Sequence, residues 1–378
     1  MLFSEVIGQH SVKQRLIHTV ATNRVSHAQL FLGPEGSGKL ALALAYAQYI
    51  NCKNRNETDS CGVCPSCIKY SKLSHPDLHF VFPTTTNKKV KKDPESIQFL
   101  EEWRHFVIEK QAYLTANQWY DYLGVENKQG TIYARDANEI IRKLQYKSYE
   151  ADYKITIIWM IEKINPTAAN KLLKLLEEPP DKTIFIMIAE EQEQILPTVR
   201  SRAYLVKIPK ITDNDLLHAL TEKLQCREAD ARDAMMMAQG NWIDALSFYE
   251  NTDEVKYYYQ TFQQWMRLCF KVAMIELADF SANIATIGRE KQKSFLQYGL
   301  QLFRNGLLFN NQIGQLVRLP GDEYDFHAKF AAFVHGGNVL QMVKLMEDSI
   351  LHIERNANPS ILFMDTSLKM VKLLKMKG

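Results

Sequence analysis

The sequence has no long apolar run and little excess charge, and these absences exclude several classes of protein. No apolar stretch in its 378 residues approaches the ~18 residues that a membrane-spanning helix needs. The opening residues, MLFSEVIGQHSVK, are too polar for a secretory signal peptide. A net charge of +3 is too small to indicate nucleic-acid binding by itself. We therefore expect a cytoplasmic protein without a membrane partner.

The composition is that of an ordinary globular protein. Hydrophobic residues make up 46% and charged residues 24% of the chain, so a sizeable core can be buried. A chain of this length is long for one domain and comfortable for about two or three.

The N-terminal half alternates strands and helices, which is typical of an α/β layer structure. Short buried strands are predicted at 28–32 (AQLFL), 155–161 (ITIIWMI) and 183–189 (TIFIMIA). A helix rich in Ala and Leu follows the first strand, and another is predicted at 167–178, where a Pro pair ends it.

Beyond about residue 209 the sequence predicts helices and no strand. Thr212 has the capping-box spacing of a helix start, and a break falls near 251–253. The last helix is predicted to begin with Asn358 as N-cap and Pro359 in its first turn. Its apolar residues recur at steps of three and four and predict a buried stripe: Ile361, Met364, Leu368, Val371 and Leu374.

One segment follows the phosphate-binding motif G-x-x-x-x-G-K-[ST] up to its last position. Gly33, Gly36 and Gly38 can form a nest of backbone N–H groups, and Lys39 can reach a phosphate. The next residue should be Ser or Thr to hold magnesium, but it is Leu40. The alternative interpretation is a helix-opening turn that binds no ligand.

ATP hydrolysis also needs an acidic pair at the end of a buried strand, one carboxylate for magnesium and one to orient water. Trp159 and Met160 stand at these positions, and Glu162 lies farther on, past the expected strand end. Apolar side chains cannot replace the charge stabilisation that magnesium supplies. We therefore expect that ATP and magnesium are not bound productively.

Four of the six cysteines lie close together in the sequence: Cys52, Cys61, Cys64 and Cys67. Four thiolates satisfy tetrahedral zinc, and no open position is needed, so the pattern predicts a structural zinc site. An iron–sulfur cluster is the alternative, whereas disulfides are disfavoured in a reducing compartment. Cys226 and Cys269 are isolated, and we expect them to be packed thiols.

Several collinear segments resemble the bacterial clamp-loader AAA+ family. They are the stretch from Ser26 to Cys52, the cysteine cluster, His75-Pro76-Asp77, NKLLKLLEEPP at 170–180 and LPTVRSR at 196–202. The resemblance covers roughly residues 1–80 and 134–250. It also implies that the four clustered cysteines bind zinc.

The resemblance implies a fold of α/β plus all-α class in three parts. These are a P-loop AAA+ parallel-sheet domain at 1–208 with a zinc module at 52–67, a small helical lid at 209–251, and a C-terminal helical collar for oligomerisation at 252–378. The segment 82–133 fits the alternation poorly and is predicted to be an insertion.

Departures from the family pattern point to a subunit that does not hydrolyse ATP itself. Leu40, Trp159 and Met160 lack the metal-holding groups, and Ile243 stands where active members usually have a phosphate-sensing Arg. Ala203 replaces a usual Cys without affecting the arginine before it.

Ser201 and Arg202 resemble the family's arginine-finger motif, in which the arginine acts in trans on ATP held by a neighbouring subunit. Such a finger accelerates nucleotide hydrolysis about 10³–10⁵-fold in the best-studied NTPases, which lowers the activation barrier by roughly 4–7 kcal/mol. The alternative is a surface arginine on a loop after a strand.

The resemblance therefore implies a stator role in the complex that opens the sliding clamp and places it on primed DNA. Its implied partners are other clamp-loader subunits, of the gamma/tau and delta types, and primer-template DNA through the complex, while direct contact with the clamp is left open. Candidate DNA contacts are the basic run 88–92 and the helix 170–178, each of which is otherwise an ordinary solvated surface. Two other interpretations are an active motor ATPase of the gamma/tau type and a zinc-bearing interaction module unrelated to replication.

Overall fold

The computed structural model describes residues 1–125, 129–250, 252–311 and 324–376. The chain divides into two compact units, the first formed by Met1–Gln225 with Gln239–Asp244 and the second by Cys226–Ala238 with Ala245–Gly378. Asn251, at the predicted boundary between lid and collar, and 126–128, within the predicted insertion, lie outside the described residues. The three-part division therefore stays a prediction.

A parallel sheet of five strands forms the centre of the first unit, in the order β2-β3-β4-β1-β5. The strands are β1 Ala28–Leu32, β2 Leu78–Val81, β3 Lys154–Trp159, β4 Thr183–Ala189 and β5 Tyr204–Lys207. Every residue of β3 and β4 is buried, which explains their Ile-rich sequences. The predicted α/β class with a parallel sheet is confirmed.

Nine helices of the first unit, among the described residues, surround this sheet. They are α1 His10–Ala21, α2 Lys39–Asn51, α3 Pro65–Ser71, α4 Leu100–Glu109, α5 Ala116–Tyr122, α6 Ala134–Leu144, α7 Pro166–Glu177, α8 Pro197–Arg200 and α9 Asp213–Leu224. All 13 residues of α2 are buried, because its small Ala side chains allow close packing on all sides. This helix carries the loop lysine at its first position.

The strands predicted at 28–32 and 183–189 are confirmed, and the one predicted at 155–161 ends earlier, at Trp159. The sequence did not predict β2 and β5. Each is only four residues long, and three of the four residues of β5 are exposed, so neither gives a clear apolar signal.

The segment predicted to be an insertion, 82–133, folds against the first unit with its own aromatic cluster. Phe82 stacks on Trp103 at a ring separation of 4.3 Å, and Trp119 meets both rings edge-on. Thr84 and Thr131 exchange two backbone hydrogen bonds of 3.1 and 3.0 Å, which join the two ends of the segment. The segment is therefore a folded part of the unit, with α4 and α5 in it.

The second unit is helical, and its described residues contain no strand, as predicted. Its helices are α10 Glu228–Ala238, α11 Trp242–Glu250, which begins in the first unit, α12 Thr252–Lys271, α13 Met274–Ile284, α14 Arg289–Asn310, α15 Tyr324–Phe330, α16 Val339–Glu354 and α17 Pro359–Leu374. Trp265 is fully buried in its core, stacks on Phe280 and donates to Ser367 Oγ at 2.8 Å. In the described ranges, no helix has both the length and the apolar character needed to cross a membrane.

The stripe predicted for α17 is partly wrong. Asn358 does cap the helix by accepting from the Ile361 amide, but the Ile361 side chain is 71% exposed and Leu368 is 37% exposed. The buried face is instead rotated toward Phe363 and Met370, which pack in the core of the second unit. A regular apolar spacing identified the helix but not which face the neighbouring helices cover.

His327 should make the second unit sensitive to acid. The side chain is fully buried in α15, neither ring nitrogen has a hydrogen-bond partner among the described residues, and burial lowers its pKa to about 4. Because this folded pKa lies below the unfolded value of about 6.5, protonation favours the unfolded chain. Stability is therefore complete above pH 6.5 and falls as the pH drops from there toward 4.

Replacing His327 with Leu should remove about 1–2 kcal/mol of the loss in unfolding free energy between pH 7 and pH 5. Urea unfolding followed by tryptophan fluorescence measures this difference. The matched control is His352→Gln, at an exposed position on α16. Equal acid sensitivity of His327→Leu and the unmodified protein would show that His327 does not titrate in this range.

Candidate functional site

The glycine loop lies between β1 and α2, the position that a phosphate-binding loop requires. Gly36 and Gly38 adopt left-handed backbone conformations, with φ of 68° and 86°, which side-chain-bearing residues rarely adopt. A Cβ at Gly33 would lie 2.2 Å from the carbonyl oxygen of Ile208, so this glycine allows two backbone segments to approach closely. The backbone shape of the motif is present.

The loop lysine is already paired within the chain. Lys39 is 6% exposed, and its Nζ donates to the Pro34 carbonyl oxygen at 2.6 Å and to Glu190 Oε1 at 3.3 Å. Burial lowers the pKa of Lys39, and the Glu190 carboxylate opposes that shift. Glu190 directly follows β4, which places its carboxylate beside the loop.

Glu162 lies past the end of β3, as expected, but the chain turns it back toward the loop. Met160 adopts a left-handed conformation with φ of 57° and starts a short 3₁₀ turn at Ile161–Lys163. Glu162 Oε1 accepts from the Glu190 amide at 3.0 Å, and burial raises the pKa of Glu162 to about 7. The sequence could not show this contact, because it depends on the unusual backbone of one methionine.

The predicted departures from an active site line the space beside the loop. Leu40 is 3% exposed, Trp159 is 4% exposed, and Ile243 reaches the same space from the start of α11. The remaining cavity has a volume of about 20 Å³. Ligand pockets are typically about 300–1,000 Å³, so this cleft is filled.

The cleft combines the backbone shape of a phosphate-binding loop with side chains that differ from the motif. The positions that hold magnesium in an active site carry Leu40, Trp159 and Met160, which offer no oxygen ligand. The charged groups acting on the loop lysine are three carboxyls, those of Glu35, Glu162 and Glu190. Since the carboxyls outnumber the ammonium group of Lys39, these side chains together repel the phosphates of a nucleotide more than they attract them.

Arg202 lies outside this cleft, between α8 and β5. Its Nε donates to Glu177 Oε1 at 2.5 Å, and its Nη1 donates to the Thr198 carbonyl oxygen at 2.9 Å and to Ser201 Oγ at 3.2 Å. The Arg202 side chain is 34% exposed and that of Glu177 is 46% exposed. Exposed ion pairs of this kind are worth about 0–1 kcal/mol, so the guanidinium can exchange partners at little cost.

The four clustered cysteines come together in space. The Sγ atoms of Cys52, Cys61, Cys64 and Cys67 all lie within 4.8 Å of one another. The distance from Cys52 Sγ to Cys61 Sγ is 3.6 Å, and that from Cys61 Sγ to Cys67 Sγ is 3.9 Å. Thiolates placed tetrahedrally at the Zn–S distance of about 2.3 Å are about 3.8 Å apart, so the cluster fits zinc.

Backbone amides point at the sulfur atoms of this cluster. The Cys64 amide donates to Cys61 Sγ at 3.4 Å, and the Cys61 amide donates to Cys52 Sγ at 3.3 Å. Amide donors from Cys64 and Val63 lower the pKa of Cys61 to about 6, whereas burial raises the pKa of Cys52 and of Cys67. An iron–sulfur cluster places several atoms between its thiolates, so sulfur atoms this close favour a single ion.

The other two thiols are separate from the cluster. Cys269 is fully buried, donates to the Ser367 carbonyl oxygen at 3.7 Å, and has its pKa raised to about 12 by burial. Cys226 is half-buried. Neither is positioned to complete a metal site.

A sequence comparison decides the family. Residues 8–212, more than half of the chain, match the family described as DNA polymerase III, delta subunit. The chain belongs to this family of bacterial clamp-loader proteins. The family predicted from the sequence is thereby confirmed.

The relatives in this clamp-loader family carry different subunit names. The gamma/tau subunit of DNA polymerase III from Mycobacterium tuberculosis is 29% identical over 202 residues, which are 53% of this chain and 28% of that protein. The tau subunit from Bacillus subtilis is 26% identical over 253 residues, 66% of this chain and 37% of that protein. The delta' subunit from Yersinia pestis is 28% identical over 202 residues, 53% of this chain and 44% of that protein. The chain thus spans less than half of the length of each of these relatives.

Zinc should be present in this clamp-loader protein at about one ion per chain, measured by elemental analysis of native protein purified without chelator. Cys64→Ser should lower this content well below one and lower the melting temperature, since structural zinc contributes directly to folding. Cys226→Ser removes a thiol outside the cluster and should change neither value. Unmodified protein that contains no zinc would contradict the assignment.

Proposed function

We propose that this chain is a delta-prime-type stator subunit of the DNA polymerase III clamp loader. It supports ATP-driven loading of the sliding clamp on primed DNA and does not hydrolyse ATP in its own cleft. The observation that carries this proposal is the ion pair of Lys39 with Glu190 inside a cleft that offers no magnesium ligand at Leu40, Trp159 and Met160.

Binding of ATP in this cleft would require several unfavourable changes. The phosphates would displace Glu190 from Lys39 and would then face the Glu190 and Glu162 carboxyls without a metal ion to neutralise them. Like charges at such distances repel strongly in a poorly solvated site. The chain therefore contributes to ATP hydrolysis only through groups that it offers to another subunit.

Arg202 is the group that we assign to this role, with Ser201 as its motif neighbour. Its guanidinium is partly exposed and pairs with an exposed carboxylate, so ATP phosphates in a neighbouring subunit can take the place of Glu177. A guanidinium remains charged at any working pH and presents a fixed fork of donors to phosphate oxygens. These properties suit an arginine finger acting in trans.

The remaining parts are assigned structural and assembly roles. The zinc module at 52–67 holds an outer loop, and the helical segment 252–378 serves as a collar that binds sister subunits of the gamma/tau and delta types. Primer-template DNA is a partner through the assembled complex.

The gamma/tau names of two relatives favour a second candidate, an active motor ATPase, but that function needs magnesium ligands at the positions that Leu40, Trp159 and Met160 occupy. An interaction module unrelated to replication is disfavoured by the family match.

Arg202→Ala should remove the ATP hydrolysis that the adjacent site contributes in a complex reconstituted with the other clamp-loader subunits, the clamp and primed DNA. The expected loss at that site corresponds to a finger effect of about 10³–10⁵ in rate. Steady-state ATPase assays measure the loss, and gel filtration checks that the complex stays assembled.

Two control variants separate the finger from general effects. Arg200→Ala removes an exposed positive charge two residues away and should leave the ATPase rate unchanged. Glu177→Gln breaks the resting ion pair of Arg202 and should not lower the rate, since the arginine stays available. An intact complex in which Arg202→Ala hydrolyses ATP at the normal rate would remove this residue from the mechanism.

A further inference from the structure

A turn from the predicted insertion reaches the glycine loop. It follows α4 and contains two consecutive left-handed residues, Gln111 with φ of 50° and Ala112 with φ of 62°. The Ala112 amide donates to the Val107 carbonyl oxygen at 2.8 Å, and the Tyr113 amide donates to the Lys110 carbonyl oxygen at 2.9 Å. These bonds hold a strained turn in one conformation, which the surrounding structure must favour.

Tyr113 sits at the tip of this turn and contacts three separate parts of the first unit. Its hydroxyl oxygen accepts from the Ile7 amide at 2.9 Å, near the N-terminus. A Cβ at Gly38 would lie 3.1 Å from the same oxygen, so the tyrosine lies directly against the glycine loop. The ring also meets Trp242, at the start of α11, at a centroid distance of 6.2 Å.

The turn fills the space beside the glycine loop. Ala112, Tyr113 and Leu114 are 3%, 6% and 6% exposed, and all three line the cavity beside Gly38 and Lys39. That cavity has a volume of about 20 Å³, which is room for about one water molecule.

Two groups of the chain occupy the part of the loop that phosphates would face. The ring of Tyr113 lies against the glycine turn, whose backbone amides face phosphates in a phosphate-binding loop. The Glu190 carboxylate pairs with Lys39, as an anionic phosphate would.

We infer that residues 111–114, with Glu190, are a built-in occupant of the nucleotide cleft that keeps the first unit in one conformation without nucleotide. The inference deepens the proposed function, because it gives the role of the insertion in a subunit that does not use ATP. A ligand shifts a conformational equilibrium only because it binds the two states with different affinities. An occupant that belongs to the chain is always present, so it favours the same state whatever the nucleotide concentration. The unit is therefore insensitive to the ATP that drives its partners.

The test uses thermal unfolding of the full chain with and without ADP, in the presence and absence of magnesium. The melting temperature of the unmodified protein should not respond to ADP. Tyr113→Ala should lower it by roughly 6–15 °C, since truncating a large buried ring leaves a cavity. Tyr149→Ala, at a side chain that is 81% exposed, is the matched control and should cause little change.

The double variant Tyr113→Ala with Glu190→Gln should gain an ADP response that does not depend on magnesium. At ADP concentrations about 100-fold above the dissociation constant, the melting temperature should rise by roughly 5–10 °C. A folded double variant without any ADP response would overturn the inference. So would an unmodified protein that ADP stabilises as strongly as it stabilises the variant.

Hydrogen exchange on the unmodified protein provides a measurement that does not depend on whether the variants fold. Without nucleotide, the amide of Ile7, which donates to the Tyr113 hydroxyl, should exchange as slowly as those of β1 and β4. Fast exchange at this amide would overturn the inference. Failure of the proposed function looks different, because it would appear as magnesium-dependent ATP turnover by the unmodified chain.

Discussion

The positive charge of Lys39 is neutralised by a carboxylate of its own chain, and the rest of the site depends on this pairing. A phosphate-binding loop works because its lysine and backbone amides are left for an anion from outside. Here the Lys39 ammonium pairs with the Glu190 carboxylate and donates a further hydrogen bond to the Pro34 carbonyl oxygen. The surrounding side chains, among them Leu40 and Trp159, are buried and apolar. The cleft has the backbone shape of a phosphate-binding loop, and we propose that it does not use ATP.

Two ion pairs of the same chemical type behave differently in this molecule because they differ in burial. The pair of Lys39 and Glu190 lies in the cleft, where the lysine side chain is 7% exposed and the glutamate side chain 30% exposed, so the ammonium cannot easily find another partner. The pair of Arg202 and Glu177 lies on the surface, where solvent screens it and its partners exchange readily. Burial thus holds the Lys39 ammonium in its pair and leaves the Arg202 guanidinium able to exchange partners.

The sequence predicted the parts of this account that depend on local patterns. The strand, glycine loop and helix around Lys39, the buried strand β4, the cap at Asn358 and the clustering of four cysteines follow from spacing and composition. The family followed from several collinear motifs, and the match over 8–212 confirms it.

The features that sequence reasoning missed depend on contacts between distant residues or on unusual backbone conformations. Met160 must adopt a left-handed conformation for Glu162 to reach the Glu190 amide, and no sequence pattern predicts this backbone conformation. Tyr113 meets Ile7 across 106 positions of sequence. The exposed Ile361 shows the same limit, since a regular apolar spacing does not tell which side of a helix its neighbours cover.

The most direct test of the central claim is a steady-state ATPase measurement on the isolated full-length chain with magnesium, over a range of protein concentrations. The account predicts no turnover above that of buffer, since the cleft is filled and the positions expected to hold magnesium carry Leu40, Trp159 and Met160. Magnesium-dependent turnover that scales with protein concentration and disappears in Lys39→Ala would contradict it.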